Sequence, residues 1–198
     1  AERCLACHRD VASRIAQKRE EALQNVPIGV TALSQETLQD NGIRDVKDLQ
    51  MLVPGLTVTS TQSEALTTAR IRGIGTVGDN AGLESSVGVV IDGVYRPRNG
   101  VGFGDLGELE RIEVLKGPQG TLYGGSSQGG TVRYITPLPS LTEYSGSARA
   151  EASTMGGRSE LSSDVAAAYG GPIIEDKLAF RVSGIRRKSG GWIDVVSA

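Results

Sequence analysis

The feature that most constrains this chain is a change of residue pattern beyond Pro137 and Pro139. Three consecutive segments after these prolines alternate apolar and polar side chains, which is the period of a β-strand with one apolar face. These segments include Ala148–Ala152, Val165–Tyr169 and Leu178–Val182. We predict turns between them at Gly156-Gly157 and at Gly170-Gly171-Pro172. The pattern is typical of the first antiparallel strands of a transmembrane β-barrel, whose polar face lines the lumen.

The chain before Pro139 predicts a small α+β domain with a mixed sheet and short helices. Apolar or alternating runs predict its strands at Val26–Leu33, Leu56–Thr59, Ala69–Gly75, Val87–Val94, Arg111–Leu115 and Gly129–Thr136. We expect the arginines of the third run to share one face. The fourth run is continuous and leaves through Asp92-Gly93, which indicates a buried central strand.

Capping and turn residues predict the helices of this domain. Ser34 is typical of a helix N-cap, and Asn41-Gly42 supplies the stop of a short helix. A second helix is predicted from about Asp45, with apolar residues on one face, and Pro54-Gly55 ends it. Single helical turns are predicted at Leu106–Glu110 and Thr121–Gly124.

Charge and composition exclude several classes of function. The net charge is −2 and no basic block occurs, so we expect no nucleic-acid partner. No run of about 18 apolar residues is present, so we expect no transmembrane helix. A single histidine, with no nucleophile or metal constellation around it, indicates that the protein is not an enzyme.

A short cysteine motif near the start of the chain raises the question of haem. Cys4, Cys7 and the adjacent His8 fit the pattern that attaches c-type haem through two thioethers and an axial imidazole. No helix-packed domain follows that could shelter a porphyrin, and a chance match or a disulfide would explain the same residues. We therefore expect no cofactor, with haem c as the alternative.

Two stretches of the chain resemble a known family. Asp105 to Gly124 closely resembles the plug signature of TonB-dependent outer-membrane receptors, and Gly129–Thr136 resembles its continuation. Further pieces follow in the family's order at Gln17–Ile28, Ile71–Gly75, Val90–Val94 and Gly170–Arg181. The resemblance covers roughly Gln17 to Val195, which is nearly the whole chain.

This resemblance implies an importer in the outer membrane of a Gram-negative bacterium. In the family, a plug inside a barrel of about 22 strands binds a scarce substrate, such as a siderophore, metal chelate or other nutrient. The periplasmic domain of TonB pulls on an N-terminal segment and supplies the energy. The polar and charged run Ala12–Gln24 predicts a flexible lead-in over residues 1–24. The resemblance implies a plug domain over 25–139 and barrel strands over 140–198.

The chain departs from the family in two respects. Relatives carry an apolar TonB-contacting segment where this chain has Ala12–Ala16, which contains the charged Arg14. Three strands cannot close a barrel, and an open edge in hydrocarbon leaves unsatisfied backbone groups. We therefore expect either a fragment of a longer receptor or a truncated, plug-only binding module, the latter with or without haem.

Two groups of candidate site residues follow from the resemblance. A charged cluster that locks the plug to the barrel wall is expected at Arg70, Arg72, Arg111 and Glu113; ordinary solvent-facing charge is the alternative. Ligand contacts are expected from two apical loops, which span Thr76–Ser86 and Arg96–Gly104. The candidates in these loops are Asp79, Asn80, Arg96 and Arg98, with solvated loop residues as the alternative.

Overall fold

The structure is a computed structural model that describes residues 28–43, 46–60, 67–76, 84–97, 107–154 and 161–188. The chain divides into two compact units, Ala1–Thr136 and Pro137–Ala198. None of the helices in the described part of the chain has the length and apolar character that a membrane crossing requires. The predicted lead-in over residues 1–24 lies outside the described residues.

The first unit contains a five-stranded mixed sheet and a two-stranded hairpin. Its strands are β1 (Gly29–Ser34), β2 (Leu56–Ser60), β3 (Thr67–Ile71), β4 (Val87–Ile91), β5 (Val94–Tyr95), β6 (Arg111–Lys116) and β7 (Gly130–Ile135). The sheet order is β1-β6-β7-β4-β5, and β2 pairs with β3. Only the β4–β7 pair is parallel among these described strands. The predicted α+β class and the buried strand before Asp92-Gly93 are confirmed.

The first predicted helix is confirmed and the second is shorter than predicted. Helix α1 (Gln35–Asp40) begins after Ser34, whose hydroxyl accepts a hydrogen bond from the Thr37 amide at 3.3 Å. The second helical segment is one 3₁₀ turn, Asp48–Met51, and the predicted start at Asp45 lies outside the described residues. Pro54 and Gly55 follow closely and prevent a longer helix, and the turn buries Leu49 while Met51 stays exposed.

One face of the five-stranded sheet forms the main core. Ile112 and Val114 of β6 and Val132 of β7 are fully buried there. They belong to one apolar cluster with Leu49 of the 3₁₀ turn and Ile71 of the hairpin. Because successive residues of a strand point to opposite faces, Glu113, between Ile112 and Val114, projects from the other face of the sheet.

The predicted strand Ala69–Gly75 is wrong beyond Ile71. Arg72 and Gly73 have φ values of 53° and 80°, and Ile74 turns back to pair with Ile71. The Arg72 amide donates to the Gly55 carbonyl at 2.7 Å, so a tight turn satisfies the backbone that an extended strand would leave free. Arg72 therefore leaves the strand and does not share its face with Arg70.

The two predicted single helical turns have opposite outcomes. Residues 107–110 are not helical, and Leu106 lies outside the described residues. The Glu110 amide instead donates to the Ile135 carbonyl at 2.8 Å, because this segment already pairs with the end of β7. The turn predicted at Thr121–Gly124 is confirmed as α2 (Gly120–Tyr123).

The second unit is a three-stranded antiparallel sheet with β9 in the middle. Its strands are β8 (Ser145–Thr154), β9 (Leu161–Ile174) and β10 (Leu178–Lys188). Val182 lies opposite Tyr169, and Ala150 lies opposite Val165, so these four apolar residues share one face. Arg187 lies opposite Asp164 on the other face. The predicted alternation of apolar and polar faces is confirmed.

The turn predicted at Gly170-Gly171-Pro172 is wrong, because all three residues lie within β9. The turn lies at Glu175–Lys177 instead. A Cβ atom on Gly171 would lie 2.2 Å from Cδ1 of Tyr144, so this glycine makes room for an aromatic ring rather than for a turn. The turn predicted at Gly156-Gly157 lies outside the described residues.

Candidate functional site

A buried ion cluster lies on the face of the first unit's sheet opposite the main core. Its centre is Glu113, whose side chain is fully buried. The Glu113 carboxylate accepts from Nε of Arg111 at 2.8 Å and from Nη1 of Arg133 at 2.5 Å. Arg111 also pairs with Glu110, which is partly exposed. Two arginines are thus balanced by two glutamates, as burial of charge requires.

The strand register explains how this cluster forms. Glu113 of β6 lies directly opposite Arg133 of β7, so the two side chains leave the sheet on the same face. The guanidinium carbon of Arg133 lies 5.6 Å from the ring centre of Tyr123, which is within the range of a cation–π contact. Tyr123 belongs to α2, and it packs on Leu115 in a small apolar cluster. The cluster therefore links the middle of the sheet to α2.

Burial raises the pKa of Tyr123 above the usual 10.0; Arg133 lowers this pKa and Glu113 raises it. The neutral phenol is thus the form that the fold favours. The contribution of the neutral Tyr123 phenol to stability is present below pH 10 and is lost as the pH rises through the raised pKa.

The absorbance of tyrosinate at 295 nm tests this shift. Subtracting the titration of Tyr123→Phe from that of the parent is expected to isolate a phenol that ionises above pH 10. Tyr95→Phe is the control; an isolated Tyr123 component at or below pH 10 would contradict the prediction.

The structure brings together only two of the four residues predicted for a lock between plug and barrel. Arg111 and Glu113 form an ion pair, whereas Arg70 lies on β3 and Arg72 in the turn that follows. Whether any of the four contacts a barrel wall stays a prediction. The sequence analysis missed Arg133 and Glu110. The signal for Arg133 was the alternation of its strand, which becomes informative only when the register with Glu113 is known.

The described ends of the first predicted ligand loop are tied together and to the turn after α2. The Thr76 hydroxyl donates to the Glu84 carbonyl and accepts from the Ser86 amide, both at 2.9 Å. The Glu84 carboxylate accepts from the Ser126 hydroxyl at 2.7 Å. These bonds fix where the loop leaves and re-enters the domain, which is what a loop that presents side chains to a ligand needs.

Most of the predicted ligand contacts cannot be placed. Asp79, Asn80 and Arg98 lie outside the described residues, so their role stays a prediction. Arg96 is exposed directly after β5, and its amide donates to the Val89 carbonyl at 2.8 Å. Its backbone is therefore anchored to the sheet while its side chain remains available at the surface.

The described residues contain no group of three or more metal-ligating side chains that could hold an ion. Cys4, Cys7 and His8 lie outside those residues, so the alternative of haem attachment stays a prediction.

The second unit exposes its apolar face. Val182 is 66% and Tyr169 54% exposed. Tyr169 stacks on Tyr144, with ring centres 6.1 Å apart, and also contacts Phe180. Three aromatic rings thus gather toward the turn at Glu175–Lys177. An exposed apolar face with aromatic rings at one end is typical of strands that contact lipid.

The opposite face of the second unit is polar and paired. Asp164 is buried and accepts from Nε of Arg187 at 3.0 Å, and Nη2 of Arg149 lies 3.7 Å from its other oxygen. Charged side chains on this face form ion pairs across all three strands, although Oδ1 of Asp164 accepts no hydrogen bond. The two faces of this sheet therefore differ as those of a barrel wall do, and Arg186 and Lys188, at the end of β10, are the charged residues on the apolar face.

A mixed-sheet domain followed by antiparallel strands with an exposed apolar face defines the class of a plugged outer-membrane receptor. The family model described as TonB-dependent Receptor Plug Domain matches residues 22–131, which is more than half of the chain. The chain therefore belongs to the TonB-dependent receptors. This assigns it to the outer membrane of a Gram-negative bacterium and to a family of receptors rather than enzymes.

Curated relatives support the same family. The pesticin receptor of Yersinia pestis is 30% identical over 115 residues, which are 58% of this chain and 17% of the receptor. The iron-regulated outer membrane virulence protein of Vibrio cholerae is 35% identical over 128 residues, which cover 59% of this chain and 18% of that protein. The chain thus spans less than a fifth of the length of these relatives.

Solved structures show the same fold. The ferric yersiniabactin uptake receptor FyuA from Yersinia pestis superposes with a TM-score of 0.70 at 27% identity, over 81% of this chain and 24% of the receptor. The receptor in the FpvAI–pyocin S2 complex superposes with a TM-score of 0.73 at 21% identity, over 91% of this chain and 23% of that chain. The second similarity concerns the fold alone.

Proposed function

We propose that this chain acts in an outer-membrane receptor that takes up a scarce nutrient with energy supplied through TonB. The observation that carries the proposal is the pairing, in one chain, of a plug domain with strands that have one apolar and one polar face. A domain that served only as a soluble binding module would gain nothing from an exposed apolar face, which favours aggregation in water.

The substrate class in this proposal is a siderophore-like metal chelate or a comparable nutrient. FyuA takes up ferric yersiniabactin according to its name, and a probable siderophore receptor, PirA of Acinetobacter baumannii, is 29% identical over 183 residues. The proposed contacts are Asp79, Asn80, Arg96 and Arg98. The anchored ends of the Thr76–Ser86 loop support the proposal, because a loop whose two ends are held in place has less entropy to lose when it binds.

The second partner in this proposal is the periplasmic domain of TonB. The chain enters the sheet at β1, an edge strand whose outer side has no neighbour among the described strands. A pull on the segment before Gly29 would therefore act directly on an edge of the plug. The segment aligned with the TonB-contacting region of relatives is Ala12–Ala16, and extended segments bind such partners by adding as a strand.

Capture from outer-membrane fractions tests this function. An antibody against Arg111–Gly124 is expected to recover TonB together with a species several-fold heavier than the 20.7 kDa of this chain. Ile15→Pro should abolish TonB recovery, because proline removes a backbone donor from the added strand. Asp10→Pro, which lies outside the aligned segment, should leave it unchanged. Recovery of a 20.7 kDa species alone, without TonB, would remove the transport proposal.

A further inference from the structure

Two cations lie on the apolar face of the second unit's sheet. Arg186 and Lys188 alternate with Arg187 at the end of β10, so they share the face of Val182. Both side chains are exposed, and neither forms an ion pair with a described residue. Arg187, on the other face, is paired with Asp164. The two charges on the apolar face thus have no counterpart within the described part of the sheet.

The strand register shows which residues surround these cations. Lys188 lies opposite Ser163, and Arg186 lies opposite Val165. The β8 residues beyond these two neighbours are alanines. No described strand residue on this face is acidic. Because charge beside apolar surface is costly unless it is paired, a ligand for the two cations has to bring negative charge from outside the sheet.

The position of the two cations along β10 places them at the edge of an apolar band. The 11 residues of β10 span about 33 Å, which corresponds to about 25 Å along the membrane normal for a strand tilted by about 40°. The apolar band of an outer-membrane barrel is about 25 Å tall and has aromatic rings at its borders. Phe180 lies toward one end of this span and Lys188 at the other. Long basic side chains at such a border extend to the lipid headgroups.

The connections between the strands indicate on which side of the membrane this end lies. Residues 175–177 link β9 to β10, whereas residues 155–160 link β8 to β9. In outer-membrane barrels the short turns are periplasmic and the longer loops are extracellular. Lys188 pairs with Ser163, close to the longer connection, so the two cations belong to the extracellular end of these strands.

We propose that Arg186 and Lys188 bind a phosphate group of a glycolipid in the outer leaflet of the membrane. Small side chains between the cations and the aromatic rings, such as Ala148 opposite Ala167, would contact its acyl chains. The Ser163 hydroxyl lies in the same row as Lys188 and can donate to the same phosphate. A free phosphate ion would gain nothing from the apolar surface, which is why the ligand is a lipid. The proposal rests on these strands forming part of a barrel wall, and it is independent of TonB and of the nutrient.

Binding of a phosphorylated glycolipid to the protein extracted from outer-membrane fractions tests this site. The protein is recovered in a mild detergent with the antibody against Arg111–Gly124, and the probe is bisphosphorylated lipid A without Mg²⁺, so that its phosphates stay free. Arg186→Gln with Lys188→Gln is expected to weaken binding about thirtyfold, because each cation near an anionic lipid surface strengthens it about fivefold. Arg186→Lys with Lys188→Arg keeps both charges and should bind within about threefold of the parent. Lipid A without phosphates should bind the parent and the double glutamine variant equally.

Lys177→Gln is the matched control for Lys188→Gln, since these exposed lysines flank opposite ends of β10. Lys177 follows Glu175 and Asp176, so no net positive charge is present at that turn. Its variant should leave lipid binding unchanged, whereas Lys188→Gln should weaken it about fivefold. Exchange of the β9 and β10 amides reports whether each variant keeps its fold.

Three results would overturn the lipid site. The first is a double glutamine variant that binds lipid A as the parent does, and the second is an equal loss of binding in the two lysine variants. The third is a change in self-association without a change in lipid binding, which would assign this face to a second copy of the chain. None of these measurements involves TonB, so failure here is distinct from failure of the transport proposal.

Discussion

Glu113→Gln is expected to destabilise the first unit by about 3 kcal/mol, because it leaves the buried Arg111 and the partly buried Arg133 with one fewer negative charge. Glutamine has nearly the volume of glutamate, so the change removes charge without opening a cavity. The measurement is the free energy of opening of the β6 and β7 amides, obtained from native-state hydrogen exchange. An amide of matching shape is therefore not a conservative replacement at this position.

Glu110→Gln is the matched control for this prediction. It removes a carboxylate from the same cluster, but at a side chain that is 42% exposed, so we expect a cost below about 1 kcal/mol. Equal costs for the two variants would show that burial does not set the strength of the cluster. Replacement of Arg111, Glu113 and Arg133 together by apolar residues should restore most of the stability, since Glu110, which then loses Arg111, is partly exposed and no buried charge of the cluster remains.

Much of the fold follows from local sequence signals. Ser34 and Asn41-Gly42 mark a helix because a hydroxyl acceptor and a residue that tolerates positive φ are needed at its two ends. The alternation in the second unit predicts both faces of its sheet, because a period of two leaves no other way to segregate apolar side chains. The family was identified from the resemblance of Asp105–Gly124 to a plug signature, because capping residues and periodicity carry no information about family.

The signals that failed depended on contacts distant in sequence. The sequence pattern predicts Arg72 to lie in a strand, but in the structure its amide donates to the Gly55 carbonyl and the residue lies in a turn. The sequence pattern predicts Gly171 to lie in a turn, but in the structure it lies in a strand and makes room for the Tyr144 ring. Arg133 could be recognised as a member of the ion cluster only from the register that places it opposite Glu113. In each case the deciding partner lies more than a dozen residues away, where single-sequence patterns carry no information about pairing.

Gly130→Ala is expected to cost more than about 4 kcal/mol, because both its backbone conformation and its surroundings exclude a side chain. The residue has a φ of 148°, and a Cβ atom would lie 2.2 Å from the Leu115 carbonyl oxygen and 2.8 Å from Cδ1 of Ile71. The first contact is with the backbone of the neighbouring strand, so it is relieved only if β7 moves away from β6. Opening energies of the β4 and β7 amides measure the effect.

Two glycines in the same region separate the causes of this cost. Gly117→Ala meets open space but has a φ of 112°, so it should show backbone strain alone, about 1–3 kcal/mol. Gly120→Ala lies in α2 with no atom within 4 Å and should be neutral or stabilising by up to about 1 kcal/mol. If Gly130→Ala lowers the opening free energy no more than Gly117→Ala does, then the clash with the Leu115 carbonyl oxygen does not separate β7 from β6. The close approach of β6 and β7 that positions Glu113 against Arg133 would then tolerate a side chain at its end.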